Sequence, residues 1–254
     1  MDQLRLVWSE IFKVRAYEVD LWGRASVLAL CNWMQEVAGN HATHLGWGIE
    51  RLQARGSTWL LSRLHLRVHR LPPWREEVEV TTWPAGVHRL WAVREFRIAG
   101  GDGGEIAVAT TGWMVINQAS RRPVRPTAEL AEVAQRTPPR ALEDQFEKLP
   151  TVGHGAFSRT IEVRTADLDI NRHANNVSVV GWALEALPLE ALEGRQLVGL
   201  EVEFRGETKG GDCVTSEAEP ADAATFVHRL VREGDGREVA AARSRWRPAP
   251  ARTS

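Results

Sequence analysis

Apolar and polar positions alternate along this chain in two ways, and each predicts a different kind of element. Between 26 and 46, apolar residues recur at helical spacing, which predicts a long helix with one buried face. Between 59 and 69, Leu64, Leu66 and Val68 alternate with polar residues, which predicts a strand. Strands predicted for the first half of the chain cover 14–21, 59–69, 77–83, 89–98 and 105–117, with a turn at the glycine-rich 100–104.

The second half of the chain repeats this order. It contains an extended segment, a helix and four further strands, predicted at 160–170, 177–187, 198–204, 213–219, 224–233 and 238–246. A helix with antiparallel strands therefore occurs twice, which predicts an internal duplication of an α+β domain. The segment 118–153 is rich in Arg, Pro and Glu, with a short helix near 127–134, and is interpreted as a linker between domains at 1–117 and 154–254.

Composition narrows the class of protein. The chain has 254 residues, of which 43% are hydrophobic and 26% charged, as in an ordinary soluble protein. Its 32 basic and 33 acidic side chains nearly cancel, which argues against general binding to nucleic acids or membranes. No stretch reaches the roughly 18 apolar residues of a membrane span, and residues 1–5 lack a signal-peptide core. A cytoplasmic protein is expected.

The two cysteines, Cys31 and Cys213, show no spacing for a disulfide or a metal site. Neither a metal nor a cofactor is expected. A catalytic thiol at Cys213 is one interpretation, but a buried or incidental cysteine is the favoured one.

A cluster of polar residues precedes the second helix. Asp169, Asn171 and His173 alternate in an extended segment, so their side chains project to one side. They end where the helix from Val177 offers unpaired N–H donors, with Asn175 or Asn176 as its cap. Such an arrangement of carboxylate, amide and imidazole predicts a site that hydrolyses an acyl group.

The stretch 167–177, together with Gly181-Trp182 and Leu184-Glu185, resembles the signature of acyl-ACP thioesterases, the plant plastid enzymes and their bacterial relatives. Further stretches resemble this family in the same order, from about Arg15 to Trp246. They are Tyr17-Glu18-Val19, Asn32-Trp33-Met34-Gln35-Glu36 with Asn40-His41, Pro73-Trp74, 78–83, Arg89-Leu90-Trp91 and 113–117.

The resemblance implies two tandem hotdog domains, each a long helix wrapped by a curved antiparallel sheet. It implies hydrolysis of fatty acyl-ACP to free fatty acid and acyl carrier protein, with Asp169, Asn171, His173 and Glu207 as catalytic residues. Plant members carry a cysteine after this glutamate, where Thr208 stands here. A Cys–His nucleophile is thereby excluded at this position, which favours acid–base or carboxylate chemistry. The sequence leaves open whether Asp169 is the nucleophile or the general base.

Comparison of the two halves predicts a division of labour. Asp20-Leu21-Trp22-Gly23-Arg24 stands at the position of 169–173 and lacks the asparagine and the histidine. The first domain is therefore expected to be catalytically empty and, by the resemblance, to hold the acyl chain. Apolar candidates for its lining, with core packing as the alternative for each, are Trp33, Met34, Trp47 and Trp59.

The resemblance also implies a partner, the acidic acyl carrier protein. Two basic clusters are candidates for its docking, one at 121–125 with Arg136 and Arg140, the other at 243–247; ordinary solvated charge is the alternative for both. A homodimer is left open. The remaining alternatives are an acyl-CoA thioesterase of another hotdog type, since acyl-CoA is also anionic, and a non-catalytic acyl-chain-binding protein.

Overall fold

A computed structural model describes residues 4–153 and 155–249 of the chain. The chain divides into two compact units, Met1–Phe146 and Glu147–Ser254. No helix within the described ranges is long and apolar enough to cross a membrane.

The first unit is built on one long helix and an antiparallel sheet. The helix α1 (Val27–His44) begins where the Ser26 hydroxyl accepts the Ala29 N–H at 3.2 Å, an N-cap. The other elements are β1 (Trp8–Lys13), α2 (Ile49–Gln53), β2 (Ser57–Val68), β3 (Glu77–His88), β4 (Trp91–Gly100), β5 (Glu105–Asn117), β6 (Pro123–Val124) and α3 (Ala128–Ala134). The sheet order is β1-β3-β4-β5-β2, with β6 paired to β5.

The second unit has the same plan with shorter elements. It contains β7 (Phe157–Glu162), α4 (Asn176–Glu185), α5 (Leu189–Leu192), β8 (Arg195–Phe204), β9 (Cys213–Pro220), β10 (Thr225–Arg232) and β11 (Arg237–Pro248). Its sheet order is β7-β9-β10-β11-β8. In both units the first strand precedes the helix, and the sheet runs first, third, fourth, fifth, second. The predicted duplication and the α+β class are confirmed, and each unit is a hotdog domain.

The core of each unit lies between its helix and one face of its sheet. Leu30 and Val37 of α1 are fully buried, as are Val80 and Ile98 of the sheet. This burial of apolar side chains is what the two periodicities in the sequence predicted.

The two extended segments predicted before the helices were misplaced. β1 lies wholly upstream of the predicted 14–21, and β7 overlaps the predicted 160–170 only at 160–162. The remaining parts of these segments contain 3-10 turns at Ala16–Glu18 and Thr165–Asp167. Arg15 and Arg164 begin these turns, and the Glu18 and Asp167 carboxylates accept their N–H groups at 2.8 Å. These local hydrogen bonds compete with strand pairing and turn the chain toward the helix.

The strand predicted at 77–83 continues to His88, beyond the proline at which the prediction ended it. A change of register between Pro84 and Gly86 lets β3 pass this proline, which has no N–H to donate.

Most of the segment interpreted as a linker packs on the first unit. We call residues 137–146 the strap. Its Arg140 Nε lies 3.1 Å from the fully buried Glu95 carboxylate, which also accepts the Ala141 and Leu142 N–H groups at 3.1 Å each. Asp144 lies 2.7 Å from His65. Burial raises the pKa of Glu95, and the strap supplies donors to this carboxylate in addition to the Thr110 hydroxyl of β5, which donates at 2.6 Å.

Candidate active site

The polar residues predicted as catalytic lie in a tight turn. The Asp169 Oδ1 accepts the N–H of Asn171 at 2.8 Å and that of His173 at 3.3 Å. The Asp169 N–H donates to the His173 carbonyl at 2.8 Å, which closes the turn. Arg172 takes the left-handed conformation that the turn requires, with φ of 60°. One carboxylate oxygen of Asp169 therefore holds the backbone on which Asn171 and His173 stand.

The other oxygen of Asp169 faces the Asn171 side chain. The Asn171 Nδ2 donates to Asp169 Oδ2 at 3.4 Å, and Asn171 is exposed. Asp169 thus restrains both the backbone and the carboxamide of Asn171.

Glu207 is brought to this turn by the loop that follows β8. The Ala174 N–H donates to the Thr208 carbonyl at 2.9 Å, and the Gly206 N–H donates to the Val239 carbonyl at 3.0 Å. Arg232 on β10 donates from Nη1 to the Glu207 carbonyl at 2.7 Å. These bonds attach the loop on three sides.

As a result, His173 Nε2 lies 3.6 Å from Glu207 Oε2. The side chains of His173 and Glu207 are 26% and 31% exposed, so the pair is open to a ligand but not fully solvated. The structure therefore brings together all four residues that the sequence analysis assigned to the site. The Asp169 carboxylate also holds the backbone of the turn.

The helix α4 begins directly after this turn. Asn175 is its N-cap, with Oδ1 accepting the Val177 N–H at 2.8 Å, and the Asn175 N–H donates to the Asp167 carbonyl at 2.8 Å. The Arg164 guanidinium holds the Asp167 carboxylate and lowers its pKa. The site therefore sits at the positive end of a helix dipole, where negative charge is stabilised.

The thiol groups do not take part in this geometry. Burial raises the pKa of Cys31 to about 12, so its thiolate does not form near neutrality. Cys213 begins β9 and pairs with Glu162 of β7. Thr208 is 1% exposed, and its hydroxyl finds no hydrogen-bond partner within the described part of the chain.

The first unit forms the same turn without the asparagine and the histidine. The Asp20 Oδ1 accepts the N–H of Trp22 at 2.9 Å and that of Arg24 at 3.0 Å, and the Asp20 N–H donates to the Arg24 carbonyl. Gly23 takes the left-handed conformation that Arg172 takes in the second unit. Trp22 and Arg24 therefore stand where Asn171 and His173 stand.

The equivalence extends to the position of Glu207. The Ala25 N–H donates to the Pro72 carbonyl at 2.7 Å, as the Ala174 N–H does to Thr208. Leu71 precedes Pro72 as Glu207 precedes Thr208. The first unit thus has an apolar residue in place of the glutamate, which the comparison of the two sequences alone did not reveal.

The four candidates for an acyl-chain lining separate into two pairs. Trp33 and Met34 are 2% and 3% exposed, and the Trp33 indole donates to Glu18 at 3.0 Å, so both belong to the core of the first unit. Trp47 and Trp59 are half-buried, and the Trp59 indole donates to the Trp47 carbonyl at 2.8 Å.

Both basic clusters contain an arginine that is engaged within its own unit. Arg140 is held by the buried Glu95, and Arg243 lies 2.6 Å from Glu201. Arg140 is therefore removed from the candidate docking surface.

Comparison with known proteins agrees with this geometry. The chain matches the acyl-ACP thioesterase N-terminal domain over residues 5–133 and the acyl-ACP thioesterase C-terminal domain over 154–248. It is 30% identical to a chloroplastic palmitoyl-acyl carrier protein thioesterase of Gossypium hirsutum over 98% of this chain and 66% of that protein. The chain thus spans about two thirds of the length of this plant relative.

Two solved structures share the fold over nearly their full length. An acyl-ACP thioesterase from Bacteroides thetaiotaomicron superposes with a TM-score of 0.86 at 25% identity, covering 95% of this chain and 98% of that one. A 12:0-ACP thioesterase from Umbellularia californica gives 0.87 at 26% identity, covering 96% and 98%. This chain belongs to the acyl-ACP thioesterase family.

Proposed function

We propose that this protein hydrolyses the thioester bond of fatty acyl-ACP, releasing a free fatty acid and the thiol of the carrier protein. The observation that carries the proposal is the 3.6 Å approach of His173 Nε2 to Glu207 Oε2 beside the start of α4. A carboxylate and an imidazole at this distance supply the base and the acid that thioester hydrolysis needs.

Glu207 acts as the general base in this proposal. Its carboxylate takes a proton from a water molecule as the water oxygen attacks the thioester carbonyl carbon. The carbonyl becomes a tetrahedral oxyanion, which the N-terminal end of α4 stabilises through its dipole and N–H groups.

His173 acts as the general acid. The imidazolium donates its proton to the sulfur as the carbon–sulfur bond breaks, so the carrier protein leaves as a neutral thiol. Glu207 then returns its proton to His173 across the 3.6 Å that separate them. One water is consumed, and both side chains regain their starting protonation.

Asp169 and Asn171 position the reacting groups. Asp169 fixes the turn, so we assign it the orientation of Asn171 and His173 in preference to nucleophilic attack. Asn171, exposed beside the pair, orients the water or donates to the substrate carbonyl oxygen. The first unit, which carries Trp22, Arg24 and Leu71 at the equivalent positions, holds the acyl chain without catalysing the reaction.

A thiol-release assay on the purified protein tests this function. With a matched acyl chain on each carrier, we expect hydrolysis of acyl-ACP with a higher kcat/KM than that of acyl-CoA. Faster hydrolysis of acyl-CoA would indicate a thioesterase of another hotdog type. Binding of the acyl chain without release of thiol would indicate a non-catalytic binding protein.

A further inference from the structure

Arg232, at the end of β10, connects the loop that carries Glu207 to the hairpin turn between β10 and β11. Its guanidinium makes two parallel hydrogen bonds to the Asp235 carboxylate, from Nε at 3.0 Å and from Nη2 at 2.6 Å. The third nitrogen, Nη1, donates to the Glu207 carbonyl at 2.7 Å and lies 3.8 Å from Asp212 Oδ2. All three guanidinium nitrogens are therefore engaged, and one of them contacts the residue proposed as the general base.

The hairpin turn fixes this arginine at its backbone and at its side chain. The Gly236 N–H donates to the Arg232 carbonyl at 2.9 Å, and the Asp235 Oδ1 also accepts the Arg237 N–H at 3.2 Å. Hydrogen bonds from Arg232 lower the pKa of Asp235 to about 2, so this carboxylate is charged near neutral pH. Charge-assisted bidentate pairs of this kind restrict the orientation of the guanidinium. Nη1 is thus a donor held in a fixed position.

The contact at the Glu207 carbonyl restricts the direction of the Glu207 side chain. A carbonyl group belongs to the planar peptide that follows its own Cα, so holding it limits the backbone rotation at that residue. The next carbonyl, that of Thr208, accepts the Ala174 N–H at 2.9 Å. Two successive peptide groups are therefore held, which directs the Glu207 carboxylate toward His173 Nε2, 3.6 Å away.

The first unit has a glycine at the position of this arginine. Val78 is the second residue of β3 and pairs with Gly100, whereas Val214 is the second residue of β9 and pairs with Arg232. Gly100 therefore stands where Arg232 stands. The unit without the glutamate is thus also the unit without the arginine at this position, so the shared fold does not by itself require an arginine here.

We propose that Arg232 is a positioning residue for thioester hydrolysis, which fixes the peptide group of Glu207 so that the Glu207 carboxylate meets His173 and the attacking water. The inference rests on the proposed function, because that function gives Glu207 the role of the base. Arg232 acts through the backbone of Glu207. Its loss should therefore reduce turnover only while Glu207 is present.

Steady-state kinetics of Arg232→Met measure this role. Misplacement of a reacting group by about 1 Å costs about a hundredfold in rate. We therefore expect kcat to fall by about ten- to a hundredfold, with KM for acyl-ACP within about twofold of the native value. An unchanged kcat, or a rise in KM alone, would overturn the proposal.

Arg229→Met is the matched control. Arg229 lies on the same strand, donates to the Glu217 carboxylate at 2.8 and 2.6 Å, and has a side chain 29% exposed, against 22% for Arg232. Both variants lose an ion pair of the same kind, so thermal unfolding should show similar losses of stability. Arg229→Met should nevertheless keep the native kcat. An equal loss of kcat in the two variants would indicate a general effect of the ion pairs and overturn the proposal.

A double-variant cycle distinguishes action through Glu207 from a general loss of structure. Glu207→Gln keeps the size of the side chain but removes the base. In this background Arg232→Met should lower kcat by less than about a further twofold, because the group that the arginine positions is already lost. The full loss of the single variant in this background would show that Arg232 acts elsewhere, which contradicts the proposal.

Asp235→Asn covers the case in which Arg232→Met does not fold. It keeps the arginine and weakens the charged pair that holds it, so we expect kcat to fall severalfold with KM unchanged. A native kcat in this folded variant would also overturn the proposal.

A crystal structure of Arg232→Met, or of Asp235→Asn, tests the positioning without any assay of activity. We expect Glu207 Oε2 to lie farther from His173 Nε2 than the native 3.6 Å. An unchanged distance would overturn the proposal. Absence of thioesterase activity in the native protein would instead refute the proposed function, while the variant structure would still show whether Arg232 positions Glu207.

Discussion

Asp169 and Asp20 close the same turn in the two units, and each carboxylate accepts the N–H groups two and four residues later. The aspartate is thus present both where Asn171 and His173 stand on the turn and where Trp22 and Arg24 stand instead. Its shared role in the two units is to hold the backbone, and the catalytic role that we propose belongs to the residues on the turn of the second unit.

Replacement of each aspartate by asparagine separates these duties. Both variants keep an acceptor oxygen and should lose about 1 kcal/mol of stability. Asp169→Asn should also lower kcat by about a hundredfold, because a small misplacement of Asn171 and His173 is costly to the reaction. Asp20→Asn should leave kcat within a few-fold. Thermal unfolding and steady-state kinetics measure the two effects, and a folded but inactive Asp20→Asn would contradict the division of labour.

The pair His173 and Glu207 should behave as a unit. His173→Ala and Glu207→Gln should each lower kcat by about a hundredfold or more, as expected for the loss of an acid or a base. The double variant should be little worse than the more damaged single variant, because each residue acts through the other. Fully multiplicative losses in kcat would show that the two side chains act independently.

The cysteines should be dispensable. The double variant Cys31→Ala, Cys213→Ser should hydrolyse thioesters at nearly the native rate, because one thiol is buried with a raised pKa and the other lies at the start of a strand. Iodoacetamide should not inhibit the native protein. Rapid inactivation by alkylation of Cys213 is the result that would contradict the carboxylate mechanism.

Trp47 and Trp59 should affect chain length if they close the acyl tunnel. Each buried methylene contributes about 0.8 kcal/mol, so room for two more carbons should change the preference by roughly tenfold toward longer chains. Trp47→Ala and Trp59→Ala should show this change in the fatty acids released from a mixed acyl-ACP pool. Trp33→Phe is the control, because Trp33 is a core residue bonded to Glu18. An unchanged profile in both folded alanine variants would assign these tryptophans to packing alone.

The buried His228 should make stability depend on pH. Burial lowers its pKa from 6.5 to about 4, so the unfolded chain binds more protons between these values than the folded protein does. Stability should therefore be complete above pH 6.5 and fall as the pH drops toward 4, by up to about 3 kcal/mol for this group.

Urea unfolding across this pH range measures the effect. His228→Gln should flatten the pH profile relative to the native protein. A native slope in His228→Gln would show that this histidine titrates normally in the folded protein.

The sequence predicted those elements whose one face is buried. The helix predicted at 26–46 was found at Val27–His44, and the strand predicted at 59–69 was found at Ser57–Val68, where Leu64, Leu66 and Val68 are buried. Burial on one side imposes a period on the sequence, and this period is visible without any partner. The strand β1 was missed because it is an edge strand on which Ile11 is exposed and Glu10 is half-buried, which reverses the apolar–polar pattern expected of a strand.

The site was predictable to the extent that it is local. Asp169, Asn171 and His173 lie within five residues of sequence, and Glu207 entered only through the family resemblance. Arg232 was missed, because it donates to the backbone carbonyl of Glu207, 25 residues earlier in the chain. Every residue has such a carbonyl, so the identity of residue 207 does not indicate the contact.

The anchoring of the strap determines how the gene has to be divided if the two halves are to be studied separately. A polypeptide ending near residue 117, or at the family boundary at 133, would leave the Glu95 carboxylate buried without Arg140 and the two N–H donors beside it. Among the described residues, only the Thr110 hydroxyl of β5 would still donate to it. Removing the charged partner of a buried ion pair costs about 3–5 kcal/mol, a large part of the stability of a small domain. The first half should therefore be expressed through Phe146, where the compact unit ends.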